Sequence, residues 1–297
     1  MPELSICLVT LNTRQYLRDC LESLAAHPAS IPTETILVDN HSTDGTQEML
    51  AQQYPHIHLI QNSKNEGFVR PANQAMRAAR GSYLLLLNPD TLVPKGALDT
   101  LVTFLEQHPE AGIVGPKVLN RDGSLQMACR RGLPRPGAMI SYFLRLNRLF
   151  PHSRRFGGYL LNYLDENTTC QVDGVSGSCM LIRRAVAEQV GYFDERFFAY
   201  QEDADFCFQA QRAGWQIYYH PAAQITHFGG QGGSRHQPYR SIFEWHRSYY
   251  LYYRKNLSRD YCFILNGFYY LLMGLKLLLA LCTNLLRREK HPGPRRG

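Results

Sequence analysis

No Cys-x-x-Cys pair occurs among the eight cysteines, at positions 7, 20, 129, 170, 179, 207, 262 and 282. A structural zinc site is therefore not expected. Several of these thiols sit inside apolar runs, which suits buried, reduced cysteines, and the expected compartment is the cytosol. No secretory signal is expected either, since Met1-Pro2-Glu3-Leu4 leads into an apolar run with no basic stretch before it. There is no internal repeat and no low-complexity tract. The glycine-rich run Gly229-Gly230-Gln231-Gly232-Gly233-Ser234 lacks the order of a P-loop and is a weak phosphate signal by itself.

What is present is a globular composition. The chain has 297 residues, 44% of them apolar, enough for one large core or two modest domains. Its net charge is +7, which admits nucleic acid, anionic lipid or a phosphorylated ligand as partner. Much of the excess lies near the C-terminus, in Arg247, Arg254, Lys255 and Arg259, then Arg287, Arg288, Lys290, Arg295 and Arg296. That asymmetry favours a membrane surface, and no nucleic-acid partner is expected.

Along residues 1–118 short apolar runs alternate with helical patterns. Strands are expected over 5–11, 35–38, 57–61, 83–87 and 112–118, with helices over 16–26, 43–53, 72–80 and 100–107. Gly81 reads as a helix C-terminal signal. Continuous apolar strands alternating with helices predict a parallel sheet covered on both faces, with ligands at the carboxyl ends of the strands. Those ends carry Asn12, Asp39-Asn40, Asn65, and Asn88-Pro89-Asp90. Residues 121–169 are irregular and rich in Arg, Pro and Gly, consistent with a lid or an acceptor-facing insertion. Strand character returns over 172–183, followed by helices over 184–190 and 203–213 and a strand over 215–219.

Four clusters could carry chemistry. Asp39 follows a buried strand, where a carboxylate can accept hydrogen bonds from a base or ribose; Asp44 reads as a cap or turn residue. Asn88-Pro89-Asp90 follows four leucines and presents an amide and a carboxylate two residues apart. Hard divalent cations take such oxygen ligands, and a simple Asn-Pro-Asp turn accounts for the same residues. Glu202, Asp203 and Asp205 fall within four residues. Their mutual repulsion raises the pKa of a member, which suits a general base, while acidic residues also favour a helix N-terminus. His227, alone beside the glycine-rich run, reads by itself as structural.

Read together and in order, these pieces resemble the inverting family 2 glycosyltransferases of GT-A fold, in the rhamnosyltransferase-like branch. The matching stretches are residues 6–12, Val38-Asp39-Asn40 with Ser42 and Asp44-Gly45, Asn65-Glu66-Gly67-Phe68 with Asn73, Leu87-Asn88-Pro89-Asp90, residues 177–183, residues 193–206 and His227. The resemblance implies a Rossmann-like, mostly parallel sheet in a domain over residues 1–235, with a helical segment over 236–297. It implies a donor side of Thr10, Asn12, Asp39, Asn65, Gly67, Asn73 and Asn88, and an acceptor side of Gly177, Ser178, Cys179 and Glu202. Asp90 and His227 would bind Mg2+ or Mn2+, and Asp203 would be the catalytic base of a single inverting displacement. The implied donor is a dTDP- or UDP-sugar, and the acceptor a glycan or lipid-linked glycan of cell-surface polysaccharide assembly. Two departures stand out: the first metal-motif position is Asn88 instead of a carboxylate, and Arg70-Pro71 follows the Gly-Phe pair where small residues are common. Two competing readings are a non-catalytic, membrane-associated nucleotide-sugar-binding protein and a nucleotidyltransferase, the latter lacking a basic, glycine-rich signature near the N-terminus.

Residues 262–285 are long and apolar enough to span a bilayer, with Lys276 their one formal charge. A span would export the terminal cations from a cytosolic enzyme, against the positive-inside tendency. On a helix Tyr269, Lys276, Thr283 and Arg287 form one stripe, so an in-plane interfacial helix on the cytoplasmic face of the membrane is expected over a span or a buried core helix.

Overall fold

The computed structural model describes residues 1–230 and 238–289. The glycine-rich run from residue 231 and the basic residues Lys290, Arg295 and Arg296 lie outside the described residues, as does the boundary expected at 235.

In chain order the strands are β1 (Leu4–Thr10), β2 (Thr33–Asp39), β3 (His58–Gln61), β4 (Tyr83–Leu87), β5 (Thr91–Leu92), β6 (Ala111–Leu119), β7 (Arg130–Arg131), β8 (Cys170–Gln171), β9 (Gly174–Val175), β10 (Cys179–Arg183) and β11 (Gln216–His227). The α-helices are α1 (Arg14–Ala26), α2 (Thr46–Gln53), α3 (Val69–Ala78), α4 (Ala97–Gln107), α5 (Pro136–Phe143), α6 (Leu146–Leu149), α7 (Arg184–Val190), α8 (Glu202–Arg212), α9 (Pro238–Asn256) and α10 (Phe263–Glu289). The main sheet runs β3-β2-β1-β4-β10-β6-β11-β5, and β8 pairs with β11. Strands β1 to β4 are parallel, and their inner members, such as Ile36, Leu37, Leu84 and Leu85, are wholly buried. Helices flank this sheet, as the continuous apolar strands require.

The mostly parallel sheet carries an antiparallel strand at its centre. The strand over 111–119 does not sit beside β4; β10 is inserted between them and runs antiparallel to both. The insertion starts β10 at the carboxyl end of β4, where the Asn88 N–H donates to the Ser178 carbonyl at 3.0 Å. Residues 215–219 are also only the start of a longer strand. β11 continues to His227 across a register shift between His220 and Gln224, a bulge that accommodates Pro221.

Gly81 does not cap α3, whose C-cap is the extended Ala79. A Cβ on Gly81 would lie 2.7 Å from the Glu3 carbonyl oxygen, so the residue is small because two backbones meet there. Residues 121–169 contain α5 and α6, while β7 pairs with β9. All eight cysteines are free.

Helix α10 lies against the body. Tyr269 stacks on Tyr253 at 3.9 Å, and the Tyr253 hydroxyl bonds the Asn266 amide. Lys276 places its ammonium 3.9 Å from the Trp245 ring centroid, 4.5 Å from that of Phe143 and 3.2 Å from His246 Nε2. The His246 Nδ1 faces the Ile242 carbonyl at 2.7 Å, which leaves Nε2 as the acceptor. Burial lowers the Lys276 pKa to about 8. The opposite face, including Phe268, Leu271, Leu275, Leu278 and Leu279, is exposed, so α10 is not a buried core helix. Tyr269 and Lys276 of the expected polar stripe face the protein, whereas Thr283 is exposed.

Gly67 has φ +87°, and a Cβ there would fall 2.4 Å from the Phe198 carbonyl oxygen. Gly67→Ala should therefore destabilise the fold by about 2 kcal/mol or more, read as a lower midpoint in chemical denaturation. An unchanged midpoint would show that this backbone contact is not closely packed.

Candidate active site

The carboxyl ends of β1, β2 and β4 open on a cavity of about 540 Å3, a size suited to a nucleotide-scale ligand. Its floor includes Thr10, Asn40, Asn65, Gly67 and Asn88-Pro89-Asp90; across it stand Gly177, Ser178 and residues 198–203.

Asn40 organises the first side. Its amide donates to Asn65 Oδ1 at 3.0 Å and to the Gly67 carbonyl at 2.7 Å, while its oxygen accepts from Asn62 and from the Glu66 N–H. Asp39 is fully buried beside it. Its Oδ2 accepts from the Ser42 N–H at 3.2 Å and from Gln47 at 2.5 Å. Its Oδ1 is enclosed without a donor, an acceptor that a ligand could satisfy. Asp44 accepts from the Arg14 N–H and from Thr46, a turn role consistent with its position.

The Asp90 region depends on β11. The edge pairing of β5 and β11 places His227 opposite Thr91, and the Phe228 N–H donates to the Asp90 carbonyl at 2.9 Å. His227 Nε2 then lies 3.1 Å from Asp90 Oδ1 and 3.2 Å from Asn88 Nδ2. On the other side of the ring, Nδ1 is 2.9 Å from Gln126 Oε1, and Gln126 Nε2 donates to the His227 carbonyl at 2.6 Å. An Nδ1–H held by Gln126 leaves the Nε2 lone pair facing a carboxylate oxygen, an arrangement that a shared cation satisfies. Asp90 and His227 thus fit a divalent ion as partial ligands. No group of three or more His, Cys, Asp or Glu is gathered among the described residues. The remaining positions would fall to ligand oxygens and water.

The carboxylate cluster starts α8. Just before it, Tyr200 and Gln201 hold φ values of +70° and +61°. Such backbone strain in two adjacent non-glycine residues concentrates at functional sites. Asp203 Oδ2 receives the Arg131 guanidinium and the Gly177 N–H, the latter at 3.0 Å; Oδ1 accepts from the Ala204 N–H at 2.7 Å. Oδ1 therefore keeps a lone pair free. Glu202 is buried, and its Oε2 has no partner. Burial first, and then the Asp203 charge, raise its pKa to about 8. The member of the cluster with a raised pKa is therefore Glu202, through burial first and repulsion second. Asp205 points to α9, bonded by Lys255 at 2.7 Å and Asn256 at 2.8 Å.

Ten of the expected residues line the cavity: Thr10, Asn65, Gly67, Asn88, Asp90, Gly177, Ser178, Glu202, Asp203 and His227. Four do not. Asp39 lies behind the wall. Asn12 accepts from the Thr43 N–H at 2.7 Å and ties two loops. Asn73, expected on the donor side, instead exchanges hydrogen bonds with the Phe193 backbone. Cys179, expected on the acceptor side, is buried in β10 with burial raising its thiol pKa. The sequence reading missed Arg131, Gln126 and the aromatic wall of Tyr142, Tyr159, Trp245 and Tyr249. Arg131 and Gln126 lie in the irregular insertion, where no periodicity marks them.

The profile of Glycosyl transferase family 2 matches residues 5–191. The chain belongs to this family. It is 30% identical over 262 residues to the N-acetylglucosaminyl-diphospho-decaprenol L-rhamnosyltransferase of Mycobacterium tuberculosis, covering 84% of this chain and 83% of that protein. The rhamnosyltransferase WbbL of Escherichia coli is 24% identical, with 81% and 88% covered. Among solved structures, the mannosyltransferase PcManGT of Pyrobaculum calidifontis, in complex with GDP-Man and Mn2+, shares the fold with a TM-score of 0.57 at 18% identity; the match covers 86% of this chain and 65% of that one. The protein is a glycosyltransferase of GT-A fold, similar to rhamnosyltransferases.

The Glu202 shift has a sign that can be tested. Its folded pKa lies above its unfolded value of 4.5, so the fold binds the extra proton. Its contribution to stability is full below about 4.5 and is lost as pH rises toward about 8. The slope approaches 1.4 kcal/mol per pH unit at most, about the worth of one proton. Glu202→Gln should flatten the denaturation midpoint across this window relative to wild type. Parallel profiles for the two proteins would contradict a protonated Glu202.

Proposed function

We propose that this glycosyltransferase is metal-dependent and inverting. It moves a hexosyl group, rhamnose in the preferred reading, from a dTDP- or UDP-sugar to a hydroxyl of a lipid-linked glycan. The reading places it on the cytoplasmic face of the membrane in cell-surface polysaccharide assembly. The observation that carries it is one cavity with an Asp90–His227 pair at one side and a held Asp203 carboxylate at another. The Mycobacterium tuberculosis relative is named for rhamnosyl transfer to a decaprenyl diphosphate-linked sugar, which supports the donor and acceptor classes.

In this reading the base or ribose of the donor enters beside Asn40, whose loop must shift for the buried Asp39 Oδ1 to become its acceptor. Asp90 and His227 hold Mg2+ or Mn2+, which when bound supplies Lewis-acid charge for a leaving nucleoside diphosphate. Asp203 removes the acceptor hydroxyl proton through the free lone pair of Oδ1, while Arg131 and the Gly177 N–H restrain Oδ2. The acceptor oxygen attacks the anomeric carbon on the face opposite the diphosphate, and configuration inverts. Arg131 is a positioning residue here. Residues 1–235 are assigned to the catalytic domain and residues 236–297 to the membrane-associating segment.

The Lys276 contacts favour an in-plane helix. A span would strip the ammonium from two aromatic rings and His246 and place it in hydrocarbon at a cost of about 2.5–3.5 kcal/mol. The docked helix keeps these contacts and turns its leucines outward.

Asp203→Asn should lower the turnover of sugar transfer about 100- to 10,000-fold while preserving donor binding. Asp90→Ala and His227→Ala should each reduce the Mn2+-dependent rise in melting temperature seen with donor. Near-normal transfer in the Asp203 variant, or an undiminished metal effect in the other two, would remove the assigned roles.

A further inference from the structure

Outside the catalytic cavity a second cleft, of about 420 Å3, is lined by Arg196, Phe197, Leu251, Arg254, Lys255 and Arg259. Four of these six residues are cationic, and no carboxylate is on its wall. Asp194 and Asp205 answer part of that charge: Lys255 lies 2.8 Å from Asp194 and 2.7 Å from Asp205, and Arg196 pairs with Asp194 at 2.5 Å. Arg254 and Arg259 are exposed and form no ion pair among the described residues. Arg254 donates to the Tyr250 hydroxyl at 3.3 Å. Asp260, beside Arg259 in sequence, is also exposed and unpaired among the described residues. The cleft thus keeps a positive surplus over a partly apolar floor.

Its place in the chain says what could fill it. Arg259 sits in the short 3-10 turn Ser258–Asp260 that leads into α10. The first residues of α10, Phe263, Ile264 and Leu265, are 83%, 66% and 52% exposed. Cations next to an outward-facing apolar helix form the two-part pattern of an interfacial site: the helix enters the acyl boundary while the cations remain at headgroup depth. Guanidinium groups match phosphate oxygens in paired hydrogen bonds. We propose that this cleft binds the phosphate of an anionic phospholipid headgroup, with Arg254 and Arg259 as its principal contacts. The proposal rests on the membrane reading of α10 and adds a specific site to it.

The test uses the full chain and vesicles of phosphatidylcholine, with or without phosphatidylglycerol, at fixed ionic strength. Wild type should bind the anionic vesicles more tightly. The double variant Arg254→Gln/Arg259→Gln should lose about fivefold per residue, the equivalent of ~1 kcal/mol each, with binding to phosphatidylcholine unchanged. Lys95→Gln/Arg121→Gln removes the same charge from exposed positions elsewhere and should change binding less than twofold. Inorganic phosphate should compete better than chloride at equal ionic strength, because the same guanidinium groups would take its oxygens. Equal losses in the two double variants would reduce the effect to diffuse charge and overturn the site, as would phosphate competing no better than chloride. Phosphate that raises the wild-type melting temperature while wild type shows no preference for anionic vesicles would assign the cleft to a free anion instead. Wild type that binds anionic and neutral vesicles alike overturns the cleft alone. Wild type that binds no vesicle overturns the membrane reading and the cleft with it.

Discussion

The pairing of β11 with β5 is the constraint on which the candidate metal centre depends. β5 has only two residues, Thr91 and Leu92, yet their contact with Thr226 and His227 brings together parts of the chain more than 130 residues apart. The bulge around Pro221 matters because it lets one strand follow β6 and still reach β5. With this backbone frame set, Gln126 orients the His227 ring from the outer side. The nitrogen that faces Asp90 is therefore selected by a residue that itself does not face Asp90. Such outer partners fix a histidine's tautomer as much as its ligand does.

A second frame holds the carboxylates. β10 runs antiparallel between β4 and β6, so its first residues lie at the carboxyl end of β4. The preceding Gly177 can then donate its N–H to Asp203. Arg131 reaches the same oxygen from β7, and β7 is aligned by its pairing with β9. Neighbouring acidic residues consequently have three different environments. Asp203 is ion-paired, Glu202 is enclosed with its pKa raised, and Asp205 ties α8 to α9 through Lys255 and Asn256. Removing a partner from such a buried charge is costly, whereas a whole pair need not be stabilising.

Much of this architecture was legible in the chain. Leu84 to Leu87 declare a buried strand, and the polar residues after β1, β2 and β4 mark the ligand edge, since parallel strands bury their sides and leave their ends for chemistry. The family resemblance then ordered Asp90, Asp203 and His227 into one site. Pairing order was not legible: whether residues 179–183 join the sheet between β4 and β6 depends on long-range packing, because an apolar five-residue run fits several partners. Asn73 shows the same limit on side chains. Its position in the motif is compatible with ligand binding, but burial against Phe193 gives its amide three polar contacts elsewhere. Arg131 lacked any sequence signal, as an arginine among arginines acquires meaning only when the fold puts Asp203 beside it.

Lys276 shows how one residue can change meaning when its surroundings become visible. In sequence it is the charge that makes an apolar segment ambiguous, and the polar stripe through it predicts a face turned to water. The structure turns Tyr269 and Lys276 of that stripe inward and leaves Thr283 exposed. Trp245 contacts the ammonium and also lines the candidate active-site cavity, so α10 and the cavity wall share a side chain. A helix held by such contacts along its buried face cannot cross a bilayer without releasing the body, yet it presents a nearly continuous apolar surface on its other side. These two faces together fit the in-plane attachment proposed for this helix. Under the proposed reading such attachment would set the aromatic wall of the cavity near the leaflet that holds a lipid-linked acceptor, so that one helix would serve both location and substrate presentation.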